Sequence, residues 1–191
     1  AHHYNTALIV ASSGAVLGKY LKQHPVQTME ATTIAGRASP TFPTPAGRLG
    51  VAICYDFDYS AVTWQLVRHG AELLIVPTYD AESWSDLQHV QHARMAQARA
   101  AEAGRWVVRA TSSGVSQIIT PRGEVMASLP NHASAAVRAT VYPLAHRTPY
   151  IKLGYLLPTA CVYLAILLLL LAACRRQPEL PRMMPHSRNH S

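Results

Sequence analysis

Runs of apolar residues along the chain change their period several times, and each change predicts an element. Ala7–Ala11 and Val16–Tyr20 are short β-prone runs on either side of Ser12-Ser13-Gly14-Ala15, which predicts a hairpin. Residues 31–47 are rich in Thr, Ala, Pro and Gly, with prolines at 40, 43 and 45, and predict a surface loop. Leu49 to Cys54 is continuously apolar and bounded by Gly47 and Asp56, the pattern of a buried strand ending at the cysteine. Val62, Leu66 and His69 then recur at helical spacing until Gly70, and Leu73–Pro77 reads as a second buried strand. Strand, helix and strand in this order imply a right-handed parallel crossover.

Leu87 to Ala103 contains neither Pro nor Gly, so it predicts a helix capped by Ser85 or Asp86 and stopped at Gly104. Trp106–Ala110, Val115–Thr120 and Glu124–Leu129 read as strands, the last two joined by Pro121-Arg122-Gly123, and Val137–Leu144 as a final strand. The alternation gives an α/β domain over residues 1–148. Element order alone does not name its fold.

From Leu153 to Cys174 no side chain is charged. At about 1.5 Å per residue this stretch makes roughly 33 Å of helix, enough to cross a hydrocarbon core of about 30 Å. Arg175, Arg176, Arg182 and Arg188 follow it, so the positive-inside rule puts a basic tail, 175–191, in the cytoplasm and the large domain on the other side. In a bacterium that is the periplasmic face of the inner membrane. The tail composition predicts disorder. Leu171-Ala172-Ala173-Cys174 resembles a lipoprotein processing site, but the charge follows the apolar core rather than preceding it. The chain opens at Ala1 with no N-terminal targeting segment in view, and is read as part of something longer.

At 191 residues with 49% hydrophobic content, there is material for one sizeable core. The net charge of +7 is not gathered into Lys/Arg clusters with interleaved aromatics, which argues against nucleic acid and for anionic lipid as a partner. Cys161 and Cys174 lie about 20 Å apart along one helix, too far for a disulfide, which leaves Cys54 a free thiol.

Cys54 is the candidate nucleophile. It stands at the carboxyl end of a strand, where α/β proteins place ligands, although buried cysteines often serve only as small hydrophobes. A free thiol needs a nearby cation to be a thiolate at neutral pH. Lys19 and Lys22 both qualify on composition. His24 is read either as a base or as a loop residue before Pro25, and Glu30 in isolation as a surface carboxylate.

Tyr20-Leu21-Lys22-Gln23-His24, Glu30 and Gly50-Val51-Ala52-Ile53-Cys54-Tyr55-Asp56 resemble the lysine and cysteine motifs of the nitrilase, or carbon-nitrogen hydrolase, superfamily. Trp84, Leu87-Gln88-His89, the run Arg99 to Ala110 and Ser113-Gly114-Val115-Ser116 are similar to its apolipoprotein N-acyltransferase branch. The resemblance implies an N-terminally incomplete α-β-β-α sandwich followed by one transmembrane helix. It implies Cys54 as the nucleophile carrying an acyl thioester, Lys22 as the oxyanion stabiliser with the Tyr55 backbone N–H, and Glu30 as a supporting glutamate. Tyr55, Asp56, His24 and Trp84 are implied to bind substrate or to back the site. The implied donor is a phospholipid and the acceptor the α-amino group of a diacylglyceryl-cysteine apolipoprotein, with no cofactor and no metal.

The triad's general-base glutamate belongs to a family segment that precedes Ala1. Gln27-Thr28-Met29 replaces the usual Pro-Phe-Gly, Asp56 stands where Glu is frequent, the 31–47 loop is short, and Ser112-Ser113-Gly114 replaces an Asn-containing turn. A membrane-anchored amidase or nitrilase, and a non-catalytic lipid-tethered domain, remain the alternatives.

Overall fold

A computed structural model describes residues 2–175, which leaves nearly all of the predicted tail outside the described residues. The chain divides into a unit of residues 1–152 and a unit beginning at Leu153.

In the first unit β1 (Thr6–Val10) and β2 (Val16–Leu21) form the expected hairpin as a separate antiparallel pair. A six-stranded sheet follows in the order β3 (Thr41–Thr44), β4 (Gly47–Val51), β5 (Leu73–Thr78), β6 (Trp106–Thr111), β7 (Ser116–Ile119) and β8 (Val125–Leu129). β4, β5 and β6 are parallel; the remaining pairs are antiparallel. Helices α1 (Ser60–Arg68) and α2 (Asp86–Ala103) connect the parallel strands. Ser85 caps α2 by accepting from the Gln88 N–H, and Gly104 ends it in the left-handed conformation that glycine adopts without strain.

Strand alternation divides the core into layers. Leu74 and Val76 of β5, with Val107 and Ile119, pack against Val62, Leu66 and Val67 of α1 and Ala96, Ala100 and Ala103 of α2. On the opposite face Val51, Ile53 and Cys54 meet Ile9 and Tyr20 of the hairpin and Phe42 of β3. The result is a sheet covered by helices on one side and by a second small sheet on the other, three of the four layers of the expected α-β-β-α sandwich; among the described residues no helix covers the small sheet.

Three expectations need correction. Residues 31–47 are not all loop, because Thr41–Thr44 pairs with β4 as an edge strand and tolerates Pro43 there. Val137–Leu144 forms no strand; Val137, Ala139, Val141 and Leu144 lie on the sheet through their side chains, which explains the apolar alternation without a ladder. The strand leading to Cys54 ends at Val51, and the cysteine instead opens a 3-10 turn, Cys54–Asp58.

Helix α3 (Pro149–Leu153) seats the buried Ile151, whose carbonyl accepts the Trp64 indole N–H at 3.0 Å. In the second unit, α4 (Leu156–Arg175) starts three residues later than the predicted span, after a break at Gly154. Leu156–Cys174 is long and apolar enough to cross a membrane, and none of it is buried against protein.

Candidate functional site

The site lies at the carboxyl ends of the parallel strands, and one proline helps open it. The Ile75 carbonyl accepts from the Ala52 N–H, so Pro77, two residues on, turns its nitrogen to the same side of β5. β4 has already left the ladder there, so the missing N–H deprives nothing of a partner. In the space between, Cys54 has φ of +51°, a left-handed conformation that costs a non-glycine residue about 1–3 kcal/mol.

Asp56 holds this turn. Its buried carboxylate accepts the Tyr20 hydroxyl at 2.8 Å, the backbone N–H of Gln23 at 3.0 Å, that of His24 at 2.7 Å and that of Ile53 at 3.3 Å. Two of these donors follow Lys22 directly, so the carboxylate joins the end of β2 to the cysteine turn. Burial, together with the Asp56 charge, pushes the Tyr20 phenol far above its ordinary range, so it stays a donor.

The choice between the two lysines is settled by burial. Lys19 is exposed on the hairpin, whereas Lys22 is 3% exposed and lines the same cleft as Cys54. Its ammonium is paired with Glu30, which also accepts from Asn5 Nδ2 at 2.7 Å and the Val26 N–H at 2.9 Å. Burial opposes ionisation of Glu30, but the hydrogen bond from Lys22 and those from Val26 and Asn5 outweigh it and lower its pKa. Glu30 is thus far from the free surface carboxylate its sequence context suggests.

The cleft has a volume of about 830 Å³ and a largely apolar lining that includes Val26, Met29, Ile53, Pro77, Trp84 and Met95. Tyr55 and Trp84 line it as expected. His24 does not; its Nδ1 lies 3.2 Å from Asp56 and its ring stacks on Tyr59 at 3.8 Å, which makes it part of the support for the turn rather than a base facing the thiol. Cys54 Sγ donates to the Tyr79 carbonyl at 3.3 Å. Burial raises the thiol pKa, Lys22 pulls it down and Asp80 pushes it up, with a net increase.

Sequence reasoning missed the layer beneath the sulfur. Asp80, fully buried just past the end of β5, pairs through Oδ2 with Arg109 at 2.9 Å and through Oδ1 with His92 Nδ1 at 2.7 Å. His92 Nε2 faces Asp58 Oδ1 at 3.4 Å. The ligand-type atoms of Cys54, Asp80 and His92 all lie within 4.8 Å of one another. Such a set has the donors for a metal ion, but the Arg109 guanidinium already sits on Asp80 and 3.1 Å from His92 Nδ1, supplying the cation locally. Burial disfavours the Asp80 carboxylate, yet His92 and Arg109 outweigh it and lower its pKa. The available signal was topological: Asp80 follows the parallel neighbour of the strand that leads to Cys54.

Residues 1–144 match the carbon-nitrogen hydrolase family. The chain belongs to that family. It is similar to a protein named apolipoprotein N-acyltransferase from Azotobacter vinelandii, 33% identical over 92% of this chain and 37% of the relative. A protein of the same name from Pseudomonas aeruginosa is 37% identical over 52% of this chain and 19% of the relative. The chain therefore spans well under half the length of these curated relatives. Among solved structures, Saccharomyces cerevisiae Nit3, a member of branch 10 of the nitrilase superfamily, superposes with a TM-score of 0.59 at 26% identity, over 67% of this chain and 49% of Nit3. A carbon-nitrogen hydrolase from Helicobacter pylori shares the fold with a TM-score of 0.60.

Proposed function

We propose that this chain carries the catalytic domain of an N-acyltransferase that moves a fatty acyl chain from a phospholipid to the N-terminal amine of a diacylglyceryl-cysteine lipoprotein. The observation that carries the reading is the reach of the Azotobacter match. It takes in 92% of the chain, more than residues 1–152 can account for, so it runs into the apolar helix. Nit3 covers 67% and corresponds in extent to the hydrolase fold alone.

In the first half-reaction Cys54 Sγ attacks the ester carbonyl and its proton passes to the family's general-base glutamate. The S–C bond forms, the ester C–O bond breaks, and the lysophospholipid alkoxide takes the proton. Lys22 and the Tyr55 N–H hold the oxyanion, and Glu30 keeps the Lys22 ammonium in place. In the second half-reaction the amine nitrogen attacks the thioester, loses a proton to the base and releases the thiolate, which gives ping-pong kinetics. The reaction needs no cofactor. An apolar cleft beside the thiol suits an acyl chain, and a membrane span at 153–174 keeps the domain near its donor, with the domain on the periplasmic side of the inner membrane and the tail at 175–191 in the cytoplasm.

The test is incubation with acyl-labelled phospholipid. A hydroxylamine-sensitive label on Cys54 that is absent from Cys54→Ala is expected. Label that persists in Cys54→Ala sinks the mechanism, and release of free ammonia from small amides without acyl transfer favours an amidase.

A further inference from the structure

We propose that His92 is a positioning residue for the thiol: held as an imidazolium between Asp58 and Asp80, it screens Cys54 from the Asp80 carboxylate and extends the sulfur's reactivity down to neutral pH. The inference rests on Cys54 being the reacting thiol of the proposed function, but not on which acyl donor or acceptor is used.

One ring nitrogen of His92 faces Asp80 at 2.7 Å and the other faces Asp58 at 3.4 Å, so only the imidazolium donates to both carboxylates, whereas a neutral ring donates to one and can accept from Arg109, 3.1 Å from Nδ1. The Trp84 ring, 5.7 Å from the imidazole, covers it from the loop before α2. Burial alone would push His92 down; the bonds to Asp58 and Asp80 outweigh it and hold the group up at about 8.

The charges around the sulfur come from several elements. Asp58 belongs to the turn of Cys54 itself, Asp80 follows β5, Arg109 lies on β6, and the Lys22–Glu30 pair comes from the end of β2 and the loop beyond. Tyr55 and Tyr79 line the cleft, Gln88 and Gln91 add neutral groups from α2, and His89 on the same helix places its buried Nδ1 3.8 Å from Asp80 Oδ2. Arg109 is committed to Asp80 and the Val115 carbonyl. Lys22 is committed to Glu30. Of the two histidines facing Asp80, His92 is the one whose ring nitrogen lies within 4.8 Å of the sulfur. Losing the His92 charge leaves Asp80, which already disfavours the thiolate, less compensated.

The experiment follows alkylation of Cys54 by iodoacetamide from pH 6 to pH 10 in the detergent-solubilised protein, read on the Cys54 peptide by mass spectrometry. His92→Gln keeps an amide donor but no charge. It is expected to slow alkylation about tenfold at pH 7, by the loss of one nearby charge, and to converge with the parent at pH 10, where His92 is neutral in the parent as well. Equal rates at pH 7, or a uniform loss at every pH, overturns the proposal. Should His92→Gln fail to fold, the carbon-13 histidine NMR titration of the unmodified protein decides: a midpoint near 8 in one imidazole, moved when Cys54 is alkylated, supports the proposal, and no such resonance refutes it. Neither readout requires acyl transfer, so failure here is distinguishable from failure of the acyltransferase reading.

Discussion

The buried carboxylate of Asp56 accepts the backbone N–H of His24 at 2.7 Å, and this bond ties the segment that carries Lys22 to the turn that carries Cys54. Those two elements come from opposite sheets of the sandwich. Replacing Asp56 by Ala strands the Tyr20 hydroxyl and three backbone donors at once. Removing one side of such a buried charged network costs about 3 kcal/mol or more. The expected outcome is a denaturant midpoint lowered accordingly, with Cys54 more accessible to thiol reagents.

Glu30 acts on Lys22 through an ion pair that is largely shielded from solvent. Glu30→Gln keeps its shape but not its charge, and because the amide has a single acceptor oxygen it keeps the hydrogen bond from Asn5 or from Val26, not both. Acylation of Cys54 is expected to fall about 10–100-fold through lost positioning of the ammonium, and the melting temperature to fall as well, because the buried Lys22 loses its counter-ion. The folded pKa of Glu30 is depressed, so its stabilisation is present above its ordinary value near 4.5 and is lost as pH falls below that. Acid unfolding of Glu30→Gln should accordingly be shallower.

Gly114 is held at its position by Asp80. A Cβ there would lie 1.7 Å from Asp80 Oδ2, and the carboxylate cannot retreat without leaving Arg109. Gly114→Ala is expected to destabilise the domain by about 2–4 kcal/mol, through displacement of a buried charge. Thermal denaturation measures the loss.

His92 gives stability its own pH dependence. Its folded pKa of about 8 exceeds the ordinary 6.5, so its contribution is fully present below pH 6.5 and is lost as pH rises through 8. The shift corresponds to about 2 kcal/mol. Urea unfolding at pH 6 and pH 8.5 should show that difference in the parent and a much smaller one in His92→Gln.

Helix α4 exposes Leu164, Leu167, Leu168 and Leu171 with no protein cover. A charge at its centre, Leu167→Arg, is expected to disfavour insertion by about 2.5–3.5 kcal/mol. Carbonate extraction of membranes should release the variant while the parent stays in the pellet.

Local pattern carried much of this protein. Apolar runs, helical spacing, caps and the absence of Pro and Gly located the hairpin, both connecting helices and five of the six strands of the larger sheet, because each of those elements has its own burial pattern and its own boundaries. The motifs around Lys22 and Cys54 singled out two residues that the structure brings into one cleft, and an uncharged run from Leu153 to Cys174 is legible without any partner. Where burial comes from contact rather than period, sequence reading failed. Phe42 puts a strand inside a proline-rich stretch, and Val137–Leu144 has strand alternation without a ladder.

The burial of Lys22 against Glu30, the positive φ of Cys54 and the Asp58–His92–Asp80–Arg109 layer were decided only by the tertiary structure. These features depend on which side chains distant segments bring within a few ångströms in a water-poor interior. There an ion pair or a fixed donor outweighs solvent, and a one-dimensional pattern carries no information about that proximity.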